Sequence, residues 1–477
     1  VSFDAAGTKL GTASVNMQAG GKAWTAAGTY NFTKGWNKVV VSRWTTEGFV
    51  VIAFDASFQG ASGGEPRFIE DPTLRVQDFS YVIDYLVTLP YVDEDRMNDK
   101  APLPDAIDPD KVRALLDRVR REVDEGLSPA VQIAVAHDGR VVVDETFGAP
   151  ANSRFVAFSA TKALVAAAIW RLIDAGEVDL VSSAATYVPE FGTNGKDVVT
   201  VEQLLTHTGG FPWAPLGPNR WASSESRREQ FGRWRLTLEP GSAFVYHPTA
   251  GHWVLGEILT TVTGLDHADA IEELVTAPLG LPRLLGIALD HQDGILDAVG
   301  IGEPPTPEEM EEAYGVKVDV AALIPPDVAL GALTSLNDPD ARAVGVPGGG
   351  GIMRAADIAQ LYQGLLRNTG GLWSEEALVE GTQRVRMMLP DIWGVPASRT
   401  LGLVVSGADG LGYRRGFGRT ASPRAFGHNG AGGQLAFGDP DTGLSVGYLT
   451  AGLDQNMVRQ VRRDVAIASL AADLLRP

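Results

Sequence analysis

Two stretches of alternating apolar and polar residues constrain the fold of this chain more than any other feature. The first, VQIAVAHDGRVVVDETFG, joins two alternating runs at Asp138-Gly139, a pair typical of a β-hairpin turn. The second, AFGHNGAGGQLAFGDPDTGLSVGYLT, lies near the end of the chain, and helical patterns fill the sequence between, notably from Val201 and from Thr249. Strands contributed by both ends of a domain predict one antiparallel sheet that is completed late in the sequence.

Two further helical patterns enclose these strands. DPDKVRALLDRVRREVDEG starts with an Asp cap signal and stops at a Gly, and NMVRQVRRDVAIASLAADLL closes the chain. The expected fold class is therefore α/β (α+β): an antiparallel sheet flanked by terminal helices, with an inserted and mostly helical region, preceded by a small β-rich segment.

The chain divides into a β-rich segment at 1–100, a linker at 101–109 and a main domain at 110–477. The boundary lies at NDKAPLPDAIDPD, where Pro and Asp interrupt any periodic pattern. In the first segment NKVVVSRW and GFVVIAFDA predict strands, and RVQDFSYVIDYLVTL predicts a helix. One part of it resembles the last strands of a secreted β-sandwich module and another part is similar to a mid-chain piece of an α/β-hydrolase, so its nature is left open.

The first segment also contains one pattern of a catalytic type. Gly60-Ala61-Ser62-Gly63-Gly64 satisfies G-x-S-x-G, which forms a nucleophile elbow when a helix follows the serine at once. Here Pro66 and Pro72 intervene, which favours a flexible loop.

Charge and composition restrict the partners. A net charge of −19 and a pI near 4.8 oppose binding to phosphate backbones and to anionic membranes. No apolar run approaches the roughly 18 residues of a membrane span, and the lack of cysteine excludes disulfides and thiol catalysis. We expect a small-molecule ester substrate, no nucleic acid, no leader, no membrane span, and no metal or organic cofactor. The oligomeric state and the compartment, cytoplasmic or exported, are left open.

The main chemical candidate is a serine with a lysine one helical turn later. Ser159 and Lys162 stand at the head of the apolar run ALVAAAIWRLIDAG, where a spacing of three puts both on one helix face. A desolvated lysine with a lowered pKa can take the proton of a serine hydroxyl and make it a nucleophile. If the helix begins at Ser159, its free N–H groups also favour negative charge at the reacting group. The alternative is a helix cap with a snorkelling lysine.

Five blocks in a fixed order surround this pair: FVAFSATKALVAAAIWRLIDAGEVDL, VTVEQLLTHTGGF, GSAFVYHPTAGHWVLGEIL, VPGGGGIMRAADIAQLYQGLL and FGHNGAGGQLAFGDPDTG. Together they resemble the serine β-lactamase-like superfamily, in the branch of class C β-lactamases, DD-peptidases and family VIII carboxylesterases. The resemblance implies a β-lactamase/transpeptidase-like fold. It also implies that Ser159 is acylated, that Lys162 activates it, and that Tyr246 shuttles the proton to the leaving group.

The same resemblance implies how the acyl group is held. His428-Asn429-Gly430 matches the third motif of the family, which reads Lys-Thr-Gly in many β-lactamases and His-x-Gly in some peptidases and esterases. The resemblance thus assigns His428 to the catalytic set and Asn429 and Gly430 to substrate binding. The implied oxyanion hole is formed by the backbone N–H groups of Ser159 and Ala431.

The second motif departs from the family pattern. Family β-lactamases read Tyr-x-Asn, and the Asn amide recognises the acylamino side chain of the antibiotic. This chain reads Tyr246-His247-Pro248, and proline has no donor. The departure favours a hydrolase of simpler esters, with His252 on the next helix as a candidate replacement for the amide.

Other residues have a functional and a structural interpretation. Trp213 and Trp234 predict an apolar acyl pocket, with core packing as the alternative. His207 is expected in a structural turn, and the loop Pro347–Gly351 is expected to let backbone approach the site closely. The triplet Ser335-Leu336-Asn337 mimics a Ser-x-Asn motif but falls too late in the sequence, so we treat it as chance.

The sequence therefore predicts a serine esterase that cleaves short to medium acyl esters through an acyl-enzyme. A β-lactamase or D-amino-acid peptidase in the same fold is the first alternative. A non-catalytic binding protein on this scaffold is the second.

Overall fold

The computed structural model describes residues 103–319 and 329–476, together with four short strands earlier in the chain. The chain forms two compact units, Val1–Pro102 and Leu103–Pro477. In the first unit β1 (Ser2–Phe3) pairs antiparallel with β2 (Lys9–Gly11), and β3 (Val39–Val41) pairs antiparallel with β4 (Val51–Ala53). The last two strands lie within the predicted runs NKVVVSRW and GFVVIAFDA. The predicted helix of this segment and the G-x-S-x-G pattern at Ser62 lie outside the described residues, and the linker boundaries stay a prediction.

The second unit is built on a six-stranded antiparallel sheet. Its order is β10-β11-β12-β13-β5-β6, formed by β5 (Val131–His137), β6 (Arg140–Phe147), β10 (Val404–Val405), β11 (Phe426–Gly427), β12 (Leu435–Gly438) and β13 (Leu444–Thr450). The central pairing of β13 with β5 joins the two ends of the domain, as predicted. The turn between β5 and β6 has positive φ at Asp138 and Gly139, which is the geometry that the Asp-Gly pair favours.

Two smaller pairings lie beside the sheet. β7 (Phe155–Val156) pairs antiparallel with β9 (Ile352–Met353), and β8 (Val299–Ile301) pairs parallel with β14 (Gly452–Asp454). The first of these pairs leads directly into the segment that carries Ser159.

Twelve α-helices are found among the described residues. They are α1 (Pro109–Asp124), α2 (Lys162–Asp174), α3 (Val201–Leu205), α4 (Ser224–Phe231), α5 (Ala250–Thr263), α6 (His267–Ile271), α7 (Pro307–Tyr314), α8 (Leu330–Thr334), α9 (Pro339–Val344), α10 (Ala355–Arg367), α11 (Glu375–Thr382) and α12 (Met457–Ala472). The predicted first and last helices are confirmed as α1, capped by Asp108, and α12, capped by Asn456. None of the described helices is both long and apolar enough to span a membrane.

The two faces of the sheet bury different side chains. Along β5 the larger residues Val131, Ile133 and Val135 join one core cluster, while Ala134 and Ala136 join the other. The first cluster includes residues of α1 and α12, and the second includes those of α2, α5 and α10. The face of the sheet that packs on α10 carries small residues because that helix lies very close to the strands. A Cβ on Gly447 of β13 would come within 2.2 Å of the carbonyl oxygen of Ala355.

Candidate active site

The turn that carries Ser159 is strained. After β7 the chain reverses at Phe158, whose φ of 46° lies in the left-handed region although its side chain is buried. A non-glycine residue in this region costs on the order of 1–3 kcal/mol and persists only where the surrounding structure fixes it. Ser159 follows in the 3₁₀ turn Phe158–Thr161, and the α-helix begins at Lys162. The α-helix therefore does not start at Ser159 but three residues later.

Lys162 is completely buried beside Ser159. Its Nζ lies 3.1 Å from Ser159 Oγ, 2.7 Å from the carbonyl oxygen of Pro248 and 2.6 Å from that of Gly348. Burial lowers the pKa of Lys162 well below its ordinary value, and the nearby charge of Arg399 lowers it further. The predicted contact between Ser159 and Lys162 is confirmed, and the alternative of a lysine that snorkels to solvent is wrong.

Tyr246 is the second group that contacts Ser159. It lies in an irregular segment before α5, and its hydroxyl donates to Ser159 Oγ at 2.8 Å. Lys162 Nζ lies 5.1 Å from the centre of its ring. Burial raises the pKa of Tyr246, against the opposing effects of the Arg399 charge and of the bond to Ser159. Ser159 Oγ therefore contacts two side chains that can carry a proton.

The loop Pro347–Gly351 holds Lys162 and the Ser159 turn together. The carbonyl oxygen of Gly348 accepts from Lys162, and the N–H of Gly351 donates to Thr161 Oγ1 at 2.9 Å. A Cβ on Gly351 would lie 2.7 Å from that hydroxyl oxygen. The expectation of a tight loop that lets backbone approach the site is confirmed.

The segment after β11 touches the Ser159 turn from the opposite side. A Cβ on Gly430 would lie 2.4 Å from the carbonyl oxygen of Ala157, so the two backbones are in contact. Within residues 103–319 and 329–476, the N–H groups of Ser159 and Ala431 donate to no other atom. These are the two donors that the family resemblance implies for the oxyanion hole.

Comparison with known proteins agrees with this geometry. The family model described as Beta-lactamase matches residues 116–471, more than half of the chain. The chain belongs to the β-lactamase family. The resemblance read from the sequence and the predicted fold class are thereby confirmed.

Three members or structural neighbours of the β-lactamase family are informative. Esterase/beta-lactamase LipL of Mycobacterium tuberculosis (strain ATCC 25618 / H37Rv) is 28% identical over 352 residues, which are 66% of this chain and 75% of LipL. The crystal structure of a penicillin-binding protein homologue from Caulobacter crescentus has a TM-score of 0.62 at 25% identity, covering 76% of this chain and 98% of that chain. A family VIII carboxylesterase has a TM-score of 0.60 at 24% identity, covering 77% and 99%.

A shorter match concerns a different protein. Uncharacterized protein YcjY of Escherichia coli (strain K12) is 63% identical over 51 residues, or 11% of this chain. The match spans only 17% of YcjY, so it assigns no function to any part of this chain.

Four of the seven histidines of this β-lactamase-family chain gather behind Tyr246. The ring of His207 lies 4.6 Å from that of Tyr246, and 5.7, 6.0 and 6.5 Å from those of His252, His247 and His428. His207 has a φ of 58°, and its Nδ1 accepts from the N–H of His247 at 3.1 Å. The structural turn predicted at His207 is confirmed, and the same turn also supports Tyr246.

Burial keeps these rings uncharged. It lowers the pKa values of His207, His252 and His428 well below the ordinary value, with neighbouring cations lowering them further, and it lowers the pKa of His247 to about 4. His428 Nδ1 donates to the carbonyl oxygen of Asn429 at 3.0 Å. Its Nε2 is therefore an acceptor, and it has no partner in the described part of the chain.

His252 differs from its neighbours because neither of its ring nitrogens has a partner among the described residues. The ring is completely buried, beside that of His207. The expected contact of His252 with substrate stays a prediction. No group of three or more His, Cys, Asp or Glu side chains in residues 103–319 and 329–476 is arranged to hold a metal ion.

Two of the predicted substrate contacts are corrected. Trp234 is 2% exposed, packs against Phe211 and Phe231, and donates from Nε1 to the carbonyl oxygen of Pro215 at 2.8 Å. It is a core residue, because a ring enclosed by other aromatic rings presents no surface to a ligand. Trp213 is 44% exposed, and its contact with substrate stays a prediction.

The side chain of Asn429 is the second correction. Its Nδ2 donates to the carbonyl oxygen of Gly416 at 3.0 Å, and its Oδ1 accepts from the N–H of Ala436 at 2.9 Å. Both ends of the amide are occupied by backbone, so this side chain braces the segment that carries Gly430 instead of binding substrate.

The Ser335-Leu336-Asn337 triplet, which the sequence analysis treats as a chance match, makes structural contacts. Both ends of the Asn337 amide bond to the backbone of Ala298 at 2.9 Å, and Ser335 Oγ donates to the carbonyl oxygen of Ala332. Neither side chain contacts Ser159.

Nothing in the sequence pointed to Arg399. It stands on one arm of a hairpin-like segment, where its backbone pairs with Met387. Its guanidinium carbon lies 5.5 Å from the centre of the Tyr246 ring and 5.4 Å from that of Phe244. An arginine in a loop carries no periodic or motif signal, so only the tertiary structure brings it to the site.

Proposed function

We propose that this chain is a serine hydrolase that cleaves carboxylic esters through an acyl-enzyme on Ser159. One observation carries the proposal. Ser159 Oγ lies 3.1 Å from Lys162 Nζ and 2.8 Å from the Tyr246 hydroxyl, on a strained turn. A serine with a base and an acid both within hydrogen-bond distance has the arrangement that nucleophilic catalysis needs.

The contacts of Lys162 support its role as the base. Its Nζ has three neighbours: two carbonyl oxygens, which can only accept, and the hydroxyl of Ser159. An uncharged amine has two N–H groups and one lone pair, which match two carbonyls and one hydroxyl donor. The lowered pKa of Lys162 favours that uncharged form, so Ser159 can donate its proton to Nζ.

Tyr246 then acts as the acid. As Ser159 Oγ attacks the ester carbonyl, its proton passes to Lys162. When the tetrahedral intermediate collapses, the phenol of Tyr246 gives its proton to the departing alkoxide and regains one from Lys162. Water then attacks the acyl-enzyme, and Tyr246 and Lys162 carry its proton in the reverse direction to Ser159 Oγ. The acid is released and Ser159 is restored.

Backbone donors stabilise the oxyanion. The N–H groups of Ser159 and Ala431 have no partner within the described ranges, and the contact of Gly430 with Ala157 keeps the two segments together. Removing one such donor in a serine hydrolase costs about 10²–10³ in kcat.

An ester is the substrate class that the site supports best. Pro248 offers its carbonyl to Lys162 and has no amide side chain for an acylamino group. The names of LipL and of the family VIII carboxylesterase both include esterase activity. LipL is also named as a β-lactamase, so a β-lactam is the substrate to compare.

Covalent trapping tests the proposal. We expect a fluorophosphonate to label the full chain once, with the adduct on the peptide that contains Ser159, and we expect Ser159→Ala to stay unlabelled and inactive toward p-nitrophenyl butyrate. Ser62→Ala is the matched control and should label normally. Label on Ser62, or activity in folded Ser159→Ala, contradicts the proposal. If nitrocefin is turned over faster than the ester, the assigned activity is that of a β-lactamase and not of an esterase.

Gly430→Ala is expected to lower kcat/KM for p-nitrophenyl butyrate at least about tenfold, because its Cβ would collide with the carbonyl oxygen of Ala157 and displace the N–H of Ala431. Gly331→Ala is the control, since its φ, like that of Gly430, is not positive and nothing lies within 4 Å of the added Cβ. Steady-state rates of both variants, with melting curves, measure the effect. An unchanged rate in Gly430→Ala contradicts the assigned oxyanion hole.

A further inference from the structure

Arg399 is a buried cation that has no counter-ion among the described residues. The residue is 7% exposed, and its Nε and Nη1 atoms have no hydrogen-bond partner within residues 103–319 and 329–476. Arg415 shows the usual arrangement in the same unit, since its side chain is 3% exposed and pairs with Asp409 and two carbonyl oxygens. An unpaired buried charge opposes folding, so its presence beside a reactive serine needs a reason.

The fold holds this charge in a fixed place. The backbone of Arg399 donates to the carbonyl of Met387 at 2.9 Å and accepts from the Met387 N–H at 3.1 Å. Met387 belongs to a small apolar cluster with Phe244 and Ala397, against which Tyr246 packs. The guanidinium is thus attached to the element that packs on the Tyr246 ring, and it lies 5.5 Å from the ring centre.

The other polar groups around Tyr246 come from the elements packed against it and from its own segment. Ser159 in the 3₁₀ turn, Lys162 at the start of α2, and the rings of His207 after α3 and His428 after β11 contact Tyr246. His247, next to Tyr246 in the chain, and His252 on α5 lie against His207. Burial lowers the pKa of each of these histidines, which favours their uncharged forms at neutral pH, and it lowers the pKa of Lys162 well below its ordinary value. The pKa of Arg399 is lowered only to about 10. Arg399 therefore keeps its charge at neutral pH.

We propose, resting on the function proposed above, that Arg399 is a positioning residue for proton transfer: its unpaired charge favours an uncharged Lys162 and stabilises the phenolate that forms when Tyr246 protonates the leaving group. It touches neither Ser159 nor the reacting carbonyl. Its effect passes through space to the two groups that move the proton, and no co-reactant is needed.

The sign of the effect is defined. Without the Arg399 charge, the pKa of Lys162 rises, and more of it is protonated and unable to accept from Ser159. The pKa of Tyr246 also rises, which makes it a weaker acid. The rising limb of kcat/KM against pH must then move to higher pH in a variant without this charge.

The experiment compares Arg399→Met and Arg399→Gln with Arg399→Lys in the full chain. For the two neutral variants we expect the rising limb for p-nitrophenyl butyrate to move up by about one pH unit or more, with about a tenfold loss at neutral pH, because one pKa unit is a tenfold change in protonation ratio. Arg399→Lys should keep the limb near its wild-type position. Arg386→Met, on the other arm of the hairpin-like segment, is the control, since its charge is already balanced by Glu380 and Glu202.

A second readout does not depend on turnover. The tyrosinate absorbance of Tyr246 is obtained by alkaline titration as the difference between each protein and its Tyr246→Phe counterpart. We expect its midpoint to lie at higher pH in Arg399→Met than in wild type. If wild type neither labels nor hydrolyses esters, the proposed function fails, while this titration still tests the electrostatic effect.

The results that overturn the inference are equally defined. A folded neutral variant whose limb and Tyr246 titration both match wild type overturns it. So does a uniform loss of rate at all pH values with an unmoved limb, because a purely structural role produces that result. Circular dichroism and melting curves establish folding, and we expect the neutral variants to melt at or above the wild-type temperature, since they remove an unpaired buried charge.

Discussion

Lys162→Met is expected to lower kcat/KM for p-nitrophenyl butyrate by at least about 10³-fold. Methionine fills the same buried space without a lone pair that can take the Ser159 proton. The substitution also removes the bonds to the carbonyls of Pro248 and Gly348. Steady-state rates between neutral and alkaline pH, with the rate of fluorophosphonate labelling of Ser159, measure the loss. Raising the pH should not restore the activity of this variant, because it has no base left to deprotonate.

Lys196→Met is the matched control for that experiment. Lys196 is also completely buried, and its Nζ donates to the carbonyls of Thr193 and Trp234 at 2.6 Å, but it contacts no serine. We expect this variant to melt at a lower temperature while its folded fraction keeps a kcat/KM close to wild type. If the two variants lose activity equally, the loss comes from the effect of removing a buried lysine on stability. In that case Lys162 has no role in the mechanism.

Glu257→Gln is expected to lower the free energy of unfolding by about 3–5 kcal/mol, because it leaves the buried Arg227 with only the more distant carboxylate of Asp266, at 3.7 Å. Glu257 and Arg227 are each 1% exposed, and their Oε1 and Nε atoms lie 2.6 Å apart. Glu257 also accepts from Arg228 and from Ser224 at 2.6 Å, which ties α4 to α5. Urea denaturation followed by tryptophan fluorescence gives the measurement.

Glu229→Gln, on α4, serves as its control. Glu229 pairs with Arg220 and Arg233 at the surface, where solvent screens such contacts. We expect its urea midpoint to lie close to wild type. If Glu257→Gln unfolds at the same urea concentration as Glu229→Gln, the buried pair does not hold α4 against α5.

The sheet and the terminal helices were predictable because their signals are local. The turn at Asp138-Gly139 needs positive φ at both positions, and the Asp108 cap and the apolar periodicity of α1 are visible within a few residues of sequence. The start of the helix after Ser159 was less predictable. An α-helix and a 3₁₀ turn place the same apolar residues inward over so short a stretch.

The candidate site also has a part that could be predicted from the sequence and a part that could not. The contact of Ser159 with Lys162 follows from a spacing of three within one turn, so the sequence predicts it from helix geometry. Asn429 and Trp234 were assigned to substrate because their residue types suit binding, but type alone does not tell whether an amide is already bonded to backbone or a ring already enclosed. Those outcomes depend on neighbours that are distant in sequence.

The sequence by itself determined the contact of Ser159 with Lys162, the order of the family blocks and the antiparallel sheet, because each depends on spacings within single elements or on their order along the chain. Only the tertiary structure decided the charge around Tyr246. His207, His428 and Arg399 reach that ring from separate elements, and burial, which no local pattern records, favours uncharged histidines while Arg399 keeps its charge.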